Sequence, residues 1–353
     1  MDALITLLPG DGIGPEVTAA AHRVLKKVSE QYDHDFKYDV QLIGGAAIDK
    51  TQNPLPANTV ASCMDSSAVF LGAVGGPKWS DPHAMVRPEK GLLELRSVLG
   101  VYANLRPVQV MNELMGASPL KAEILAGVDL IVVRELTGGI YFGKKTRDET
   151  VASDLCTYHT HEVERIVRVA ANIAGKRRGK LCSVDKANVL ETSRLWRDVT
   201  DGTMQREFPN IEVETLLVDA AAMHLLSRPR DFDVIVTENM FGDILTDEAS
   251  MLVGSLGMLP SASLGDSTRG LYEPIHGSAP DIAGREIANP CGAIASVAML
   301  LRHSLGLDKE ADAVEAAIRQ TIADGHRTTD IAIADDPILS TTAMTQEVLK
   351  RIG

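Results

Sequence analysis

The stretch Asn239-Met-Phe-Gly-Asp243-Ile-Leu-Thr-Asp247 indicates the fold class most clearly. It follows the apolar run 234–236, which predicts a buried strand, and it opens a helical pattern that continues to Leu252. Because positions four apart share a helix face, Asp243 and Asp247 are expected to project side by side. A divalent cation would neutralise two such carboxylates, whereas acids at a helix N-terminus are favoured by the helix dipole alone. The pair by itself leaves both interpretations open.

Three consecutive strand-to-helix units lead into charged residues. The predicted strands are 181–185, 213–218 and 234–237. Lys186 lies at the exit of the first and Asp219 at the exit of the second, while the aspartate pair follows the third. Ligands of open α/β sheets bind at the carboxyl ends of the strands, so these charges are expected to form one constellation.

Arginines interrupt two further apolar patterns. Arg106 lies in the predicted strand 102–110, and Arg134 ends the predicted strand 129–134. An arginine inside an apolar strand is rarely buried without an anionic partner. Both are therefore candidates for holding a carboxylate.

A helix predicted to start at Pro88 carries Glu89, Leu92, Leu93 and Arg96 on one face. In one interpretation the leucines belong to the core and the charges extend to solvent. In the other, the four side chains form a ligand surface that is partly apolar and partly cationic.

Composition limits the classes of function. The chain has 353 residues, which predicts two domains, and a net charge of −13, which argues against nucleic acid or a membrane as partner. The cysteines follow no CxxC pattern, which favours a reducing compartment. The N-terminus predicts a strand and not a signal peptide, and no apolar run approaches the ~18 residues of a membrane span. We therefore expect a soluble cytoplasmic protein.

Two glycine-containing stretches differ in what they predict. Gly10-Asp-Gly-Ile-Gly-Pro-Glu16 has GxGxG spacing followed by proline, which predicts a tight strand-to-helix turn and only a weak cofactor signal. The stretch 273–284, EPIHGSAPDIAG, predicts a loop whose backbone amides are available to an anion such as a pyrophosphate. An ordinary connection rich in turns is the alternative.

Six motifs in order carry a resemblance to a known family: GDGIGPE (10–16), ANLRP (103–107), VVRELTGGIYFG (132–143), SVDKANVLE (183–191), GDILTDEAS (242–250) and EPIHGSAPDIAG (273–284). Together they resemble the β-decarboxylating dehydrogenases, the family of isocitrate and isopropylmalate dehydrogenases. The resemblance extends from about residue 4 to residue 352. RPEKGLLELR at 87–96 is most similar to the isopropylmalate branch, the NAD-dependent enzymes of leucine biosynthesis.

The resemblance implies a two-lobed α/β fold of isocitrate/isopropylmalate dehydrogenase type, with open sheets flanked by helices and no GxGxxG Rossmann site. One lobe, 1–101 plus 254–353, would bind NAD. The other, 102–253, would carry the metal ligands, the dimer interface and an intersubunit arm at about 137–160. The active site would lie in the cleft between the lobes of an obligate homodimer.

The implied reaction is the oxidative decarboxylation of 3-isopropylmalate by NAD, assisted by Mg²⁺ or Mn²⁺. Lys186 would be the base, linked to Asp219, and Tyr141 the acid or a helper of the lysine. Lys186 and Asp219 would reach the site from the neighbouring subunit. The implied metal ligands are Asp219, Asp243 and Asp247. The implied substrate contacts are Arg96, Arg106, Arg134 and Asp219, with Glu89, Leu92, Leu93 and Val189 near the isopropyl group.

The leucines also discriminate between substrates. Isocitrate has a third carboxylate, which Leu92 and Leu93 would leave desolvated and unpaired. Tartrate or D-malate remain as alternative substrates that the leucines disfavour less strongly. A catalytically silent regulatory subunit would be expected to lack some of the catalytic residues, and a metal-dependent hydrolase would leave the arginines and the 277–284 loop unexplained.

The implied NAD contacts are Gly76, Glu89, His276, Gly277, Ser278, Ala279, Pro280, Asp281, Ile282, Ala283, Gly284 and Asn289, and the segment 75–89 would cover the nicotinamide. Asp281 could accept a hydrogen bond from the adenosine 2′-hydroxyl and would repel a 2′-phosphate, which favours NAD over NADP. Two small departures from the family are present: Glu238 occupies a variable position before Asn239, and Thr246 replaces a frequent serine. Neither is expected to touch a proposed ligand.

Overall fold

The computed structural model describes residues 1–81, 84, 86–333 and 336–353. The strands in these residues are β1 Asp2–Gly10, β2 Asp35–Val40, β3 Ala68–Ala73, β4 Ala103–Gln109, β5 Asp129–Glu135, β6 Lys145–Arg147, β7 Ala152–Asp154, β8 Lys180–Asp185, β9 Glu212–Leu217, β10 Val234–Thr237, β11 Pro260–Leu264 and β12 Leu271–Pro274. The α-helices are α1 Gly14–Gln31, α2 Gly44–Thr51, α3 Ala57–Asp65, α4 Pro88–Leu99, α5 Ala122–Leu125, α6 Thr160–Gly175, α7 Glu191–Glu207, α8 Val218–Ser227, α9 Asn239–Val253, α10 Cys291–His303, α11 Asp308–Ala323 and α12 Thr341–Lys350. The expected α/β class is confirmed.

The chain forms two compact units. The first comprises Met1–Val101 and Gly254–Gly353, and the second comprises Tyr102–Val253. Both chain ends therefore belong to the same unit, and the boundaries coincide with those of the expected lobes. The roles expected for the lobes stay predictions.

In the first unit the strand order is β2-β1-β3-β12-β11, with only β11 antiparallel to its neighbour β12. The central strand β3, AVFLGA, is buried at every residue, as its continuous apolar sequence requires of a strand covered on both faces. Helix α1 buries one stripe, which includes Val17, Val24 and Val28, against this sheet. The tight turn predicted at 10–16 connects β1 to α1.

In the second unit the order is β4-β5-β10-β8-β9, and all strands except β4 run parallel. Parallel strands have their carboxyl ends at the same edge of the sheet. The exits of β5, β10, β8 and β9 lead, in this spatial order, to Arg134, to the aspartate pair, to Lys186 and to Asp219. The strand order therefore decides which of the predicted site residues become neighbours.

The predicted arm contains a β-hairpin. Strands β6 and β7 pair antiparallel, and all six of their residues are exposed. The Asp148 carboxylate accepts hydrogen bonds from the amides of Thr150 and Val151, both at 2.7 Å, and so holds the turn. Val151 and Leu155 are 63% and 56% exposed. Contact of this arm with a second subunit stays a prediction.

All four cysteines carry free thiols. Among the residues described, no helix has the length and apolar character needed to cross a membrane.

Candidate active site

Arg134 is the centre of the ionic cluster in the second unit. It lies near the end of β5 and is 2% exposed. One Nη of Arg134 donates to the Asp243 carboxylate, while Nε and the other Nη donate to Asn239 Oδ1 at 3.1 and 2.7 Å. The Asn239 amide group in turn donates to the carbonyls of Leu136 and Gly138 at 3.0 and 3.2 Å. The guanidinium is thereby fixed on two sides.

Arg106 lies on the same face of the sheet as Arg134. Asn104 is directly opposite Arg134 in the antiparallel β4–β5 pair, and Arg106 is two residues further along β4. Arg106 donates to Asn104 Oδ1 at 2.8 Å and to Thr246 Oγ1 at 2.6 Å. Helix α9 therefore places the hydroxyl of Thr246 on a predicted substrate arginine. The expectation that Thr246 touches no proposed ligand stays a prediction.

Asp243 and Asp247 lie on one face of α9, each 3.8 Å from a nitrogen of Arg106. Their side chains are 38% and 66% exposed. Partial desolvation raises the pKa of Asp247; Arg106 opposes this shift and the charge of Asp243 adds to it. The first turn of α9, 239–242, contains no acid, so the dipole of the helix N-terminus does not explain the pair.

Tyr141 completes this group, which we call the Asp243 cluster: Arg106, Arg134, Tyr141, Asp243 and Asp247. The Tyr141 hydroxyl donates to Asp243 Oδ2 at 2.9 Å. Burial and the neighbouring Asp243 charge raise the pKa of Tyr141 to about 12, so the phenol keeps its proton at neutral pH. The tyrosine belongs to a short 3₁₀ turn, Gly139–Tyr141.

Lys186 and Asp219 form a separate ion pair, with 2.5 Å between Nζ and Oδ1. They meet because β8 and β9, which precede them, are adjacent strands. The hydrogen bond from Lys186 lowers the pKa of Asp219, which therefore stays ionised. The side chains are 27% and 62% exposed, and nearby Val189 is 62% exposed.

The three predicted metal ligands do not form one site within a single chain. Across the part of the chain that is described, no three His, Cys, Asp or Glu side chains are grouped so as to hold a metal ion. The donor chemistry nevertheless fits a hard divalent cation, because Asp243 and Asp247 present carboxylate oxygens from adjacent turns of α9. Asp219 would have to come from elsewhere.

In the first unit, α4 starts at Pro88 as predicted. Its core side is formed by Gly91, Leu95 and Leu99, whereas Leu92 and Leu93 are only half-buried. The interpretation of Leu92 and Leu93 as core residues is therefore wrong. These two leucines remain available to a ligand.

Arg96 of the same helix is 7% exposed and so does not extend to solvent. One Nη donates to Glu273 Oε1 at 2.9 Å. Its Nε is buried and has no hydrogen-bond partner among the described residues. A buried donor without an acceptor is costly, so this nitrogen is suited to a ligand oxygen.

The first turn of the chain is organised by Asp11. Its buried carboxylate accepts the amides of Gly45, Ala46 and Gly75 at 2.7–2.8 Å. Desolvation raises the pKa of Asp11, and these three hydrogen bonds oppose the shift. Asp11 therefore fixes the protein backbone, as expected of a structural turn.

The predicted cofactor residues lie in the first unit, most of them in the segment 275–284, which we call the cofactor loop. Gly277, Pro280, Asp281, Gly284 and Glu89 are exposed; Gly76, His276, Ala279, Ile282 and Ala283 are half-buried; Ser278 and Asn289 are buried. Pro82, His83 and Met85 of the predicted nicotinamide-side segment are outside the described residues.

Two of these residues have side chains already engaged by the protein. Asn289 accepts from the amide of Cys291 and donates to Asp330, both at 3.0 Å, so it anchors the start of α10. Burial lowers the pKa of His276, whose Nδ1 is 2.9 Å from the carbonyl of Gly277. Their contacts with NAD stay predictions.

Comparison with known proteins is consistent with the two-unit α/β architecture. A family profile described as isocitrate/isopropylmalate dehydrogenase matches residues 4–348. The 3-isopropylmalate dehydrogenase of Rhodopirellula baltica is 56% identical over 358 residues, covering 100% of both chains. That of Bacillus subtilis is 56% identical over 354 residues, covering 99% of this chain and 96% of the other. The crystal structure of isocitrate dehydrogenase from Methylococcus capsulatus matches with a TM-score of 0.87 and 35% identity over 99% of both chains.

Proposed function

Because the chain belongs to the isocitrate/isopropylmalate dehydrogenase family, we propose that it catalyses the NAD-dependent oxidative decarboxylation of 3-isopropylmalate in leucine biosynthesis. The names of the full-length relatives at 56% identity support this substrate. The main structural support for this substrate is helix α4, where half-buried Leu92 and Leu93 share a face with buried Arg96. That face suits an alkyl group next to a carboxylate. We also propose a cytoplasmic location.

The arginines would hold the two substrate carboxylates. Arg96, Arg106 and Arg134 have planar guanidinium groups that can bind a carboxylate through two hydrogen bonds. Arg106 and Arg134 lie on one sheet face, and both are buried, so water competes weakly for a bound carboxylate. Leu92 and Leu93 disfavour a substrate with a third carboxylate.

The reaction removes two hydrogens and one carboxyl group. The C2 hydroxyl loses its proton and C2 loses a hydride, which gives a β-keto acid. The bond from C3 to its carboxyl then breaks, CO₂ leaves, and the electron pair remains as an enolate that is protonated to 4-methyl-2-oxopentanoate. NAD, when bound, would supply the hydride acceptor, and Asp219, Asp243 and Asp247 would hold a Mg²⁺ or Mn²⁺ that would supply a Lewis acid for the C2 oxygen.

The protein's own groups would move the protons. Lys186 in its neutral form would take the hydroxyl proton on Nζ and become the ammonium, and Asp219 orients Nζ through their 2.5 Å contact. Tyr141 holds a proton on its hydroxyl and delivers it to C3 of the enolate. Asp243 directs that hydroxyl by accepting its hydrogen bond at 2.9 Å.

A second copy of the chain would complete the site. Within one chain Lys186 and Asp219 pair with each other and not with the Asp243 cluster. Met223 on α8 and Ile244 on α9 are large apolar side chains that are 63% and 59% exposed, which suits a surface covered by another subunit. We therefore propose that the chain forms a homodimer in which Lys186 and Asp219 of each subunit complete the site of the other.

A substrate panel tests the assignment. NAD reduction is measured with 3-isopropylmalate, isocitrate, D-malate and tartrate at fixed Mg²⁺, and kcat/KM is compared. We expect 3-isopropylmalate to be the best substrate. A higher kcat/KM for D-malate or tartrate would replace the substrate and keep the chemistry, and no turnover of any of the four would refute the enzyme assignment.

Mixed dimers test the shared site. The Lys186→Ala and Arg106→Ala variants are each expected to be inactive, and mixing them should restore part of the activity, because one of the two sites then carries neither substitution. Absence of recovery, with mixed dimers demonstrated by differential tagging, would contradict the shared site.

A further inference from the structure

The first turn of the chain is bonded to the cofactor loop at two points, at Ser278 and at the far end of the loop, Gly284. The Ile13 amide donates to the carbonyl of Ser278 at 2.8 Å. Gly12 fits closely here, because a Cβ on it would lie 1.9 Å from the same carbonyl oxygen. The far end of the loop is bonded to the same turn through Glu16, whose Oε1 accepts the Gly284 amide at 2.5 Å.

Between these two bonds the loop makes a turn of its own, in which the Ile282 amide donates to the Ala279 carbonyl at 3.1 Å. Ala279 has φ +38°, a left-handed conformation that a residue with a Cβ adopts at a cost. Gly284 has φ +75° and is exposed, and nothing lies within 4 Å of the position where its Cβ would be. The position of the loop at Gly284 therefore depends on the bond to Glu16 as well as on the loop's own turn.

We propose that Glu16 is a positioning residue for cofactor binding: by accepting the Gly284 amide it holds the far end of the cofactor loop in the shape that receives NAD. This inference rests on the proposed function, which assigns the loop to NAD. It gives the GDGIGPE motif a role in cofactor affinity that does not require the motif to touch the cofactor.

The geometry gives Glu16 more than the ordinary role of an acid in the first turn of a helix. Such an acid interacts with the helix dipole without needing a particular partner. Glu16 instead makes a directed bond to a residue 268 positions away, and its second oxygen, Oε2, is buried without a hydrogen-bond partner among the residues described. Burying a carboxylate oxygen without a partner costs free energy. An acid that only interacted with the helix dipole could face solvent and avoid this cost.

Two conservative variants separate the two roles. Glu16→Asp keeps the charge in the first turn but is one methylene too short for the Gly284 amide. Glu16→Gln removes the charge but keeps an acceptor oxygen at the same reach. A positioning role predicts that Gln is the better replacement, and a dipole role predicts that Asp is.

The experiment measures the NADH dissociation constant by fluorescence titration, with KM for NAD, KM for 3-isopropylmalate, kcat and Tm for each full-length variant. We expect Glu16→Ala and Glu16→Asp to weaken NADH binding and raise KM for NAD about tenfold, the size expected for loss of one hydrogen bond to a charged group. Glu16→Gln should stay within about threefold of the native protein, as part of that bond is kept. The matched control is Glu30→Ala, an exposed acid on α1.

The remaining parameters decide the interpretation. kcat at saturating NAD, KM for 3-isopropylmalate and Tm should stay at native values in all variants. The inference is overturned if Glu16→Asp binds NADH better than Glu16→Gln, if neither changes the affinity, or if kcat and Tm fall together with the affinity. A native protein that binds NADH without turning over 3-isopropylmalate would refute the proposed function, and the NADH titrations would still decide the role of Glu16.

Discussion

The Asp243 cluster and the Lys186–Asp219 pair lie at the carboxyl edge of the same sheet, yet they are built differently. Arg134 is 2% exposed and is held by Asp243 and Asn239 together. Lys186 and Asp219 are 27% and 62% exposed. The Asp243 cluster is fixed within its own chain, whereas the Lys186–Asp219 pair is on the surface. This pair is therefore suited to completing the site of another subunit.

Lys186→Met should give the largest effect and leave the fold intact. We expect kcat to fall about 10³-fold, within the range for removal of a general base. The thermal midpoint should fall only slightly, because an ion pair on the surface contributes little to stability. The matched control is Lys180→Met, which removes the lysine at the other end of β8. Lys180 is also paired with an acid, Glu212 of β9, at 3.3 Å. Equal losses of kcat in both variants would contradict a special role for Lys186.

Arg134→Met tests the other side of the comparison. The free energy of unfolding should drop by roughly 3 kcal/mol, because Asp243 and Asn239 lose a buried partner while Asp243 keeps some access to water. Urea unfolding of this variant beside Lys186→Met measures the contrast. If both variants unfold at the native urea midpoint, burial does not distinguish the two groups.

The sequence anticipated where the charges lie but not what orients them. Arg106 and Arg134 could be singled out because a cation in an apolar strand is unusual, and Lys186 and Asp219 because they follow predicted strands. Asn239 could not be found in this way. A polar residue at the start of a helix is ordinary, and its bonds to Arg134 depend on the pairing of β10 with β5, which local patterns do not encode.

Thr246 and Asn104 were missed for the same reason. Both contact Arg106, one from α9 and one from β4, and the contact requires the β4–β5 register. Spacing in the sequence shows which residues share an element face. It does not show which faces meet.

Asn239→Ala should have an intermediate effect. Arg134 would keep Asp243 but lose the acceptor of two hydrogen bonds, so we expect KM for 3-isopropylmalate to rise about tenfold, as for loss of roughly 1.4 kcal/mol. The control is Asn172→Ala, whose exposed side chain donates to the carbonyl of Arg168 on the same helix, α6. Steady-state kinetics measures both. An unchanged KM would mean that Asp243 alone orients Arg134.

The smallest expected effect is on the pH dependence of stability, which should have opposite signs for Glu238 and for Asp219. Glu238, adjacent to Asn239, is 8% exposed, and burial raises its pKa, against the bond from the amide of Phe241. A carboxyl with a raised folded-state pKa contributes stability that is present below its unfolded pKa and is lost as pH rises through the folded value. Asp219 behaves oppositely, because Lys186 lowers its pKa, so its contribution is present above its unfolded pKa and lost as pH falls.

Glu238→Gln and Asp219→Asn should therefore change stability in opposite directions as pH rises from 4 to 8. Gln keeps an acceptor for the Phe241 amide. The free energy of unfolding of Glu238→Gln should therefore rise relative to that of the native protein as pH rises, by roughly 0.5 kcal/mol at pH 8. The free energy of unfolding of Asp219→Asn should fall relative to that of the native protein over the same pH range. Urea midpoints at pH 4, 6 and 8 measure both trends. Trends of the same sign would contradict the opposite pKa shifts of buried Glu238 and exposed Asp219.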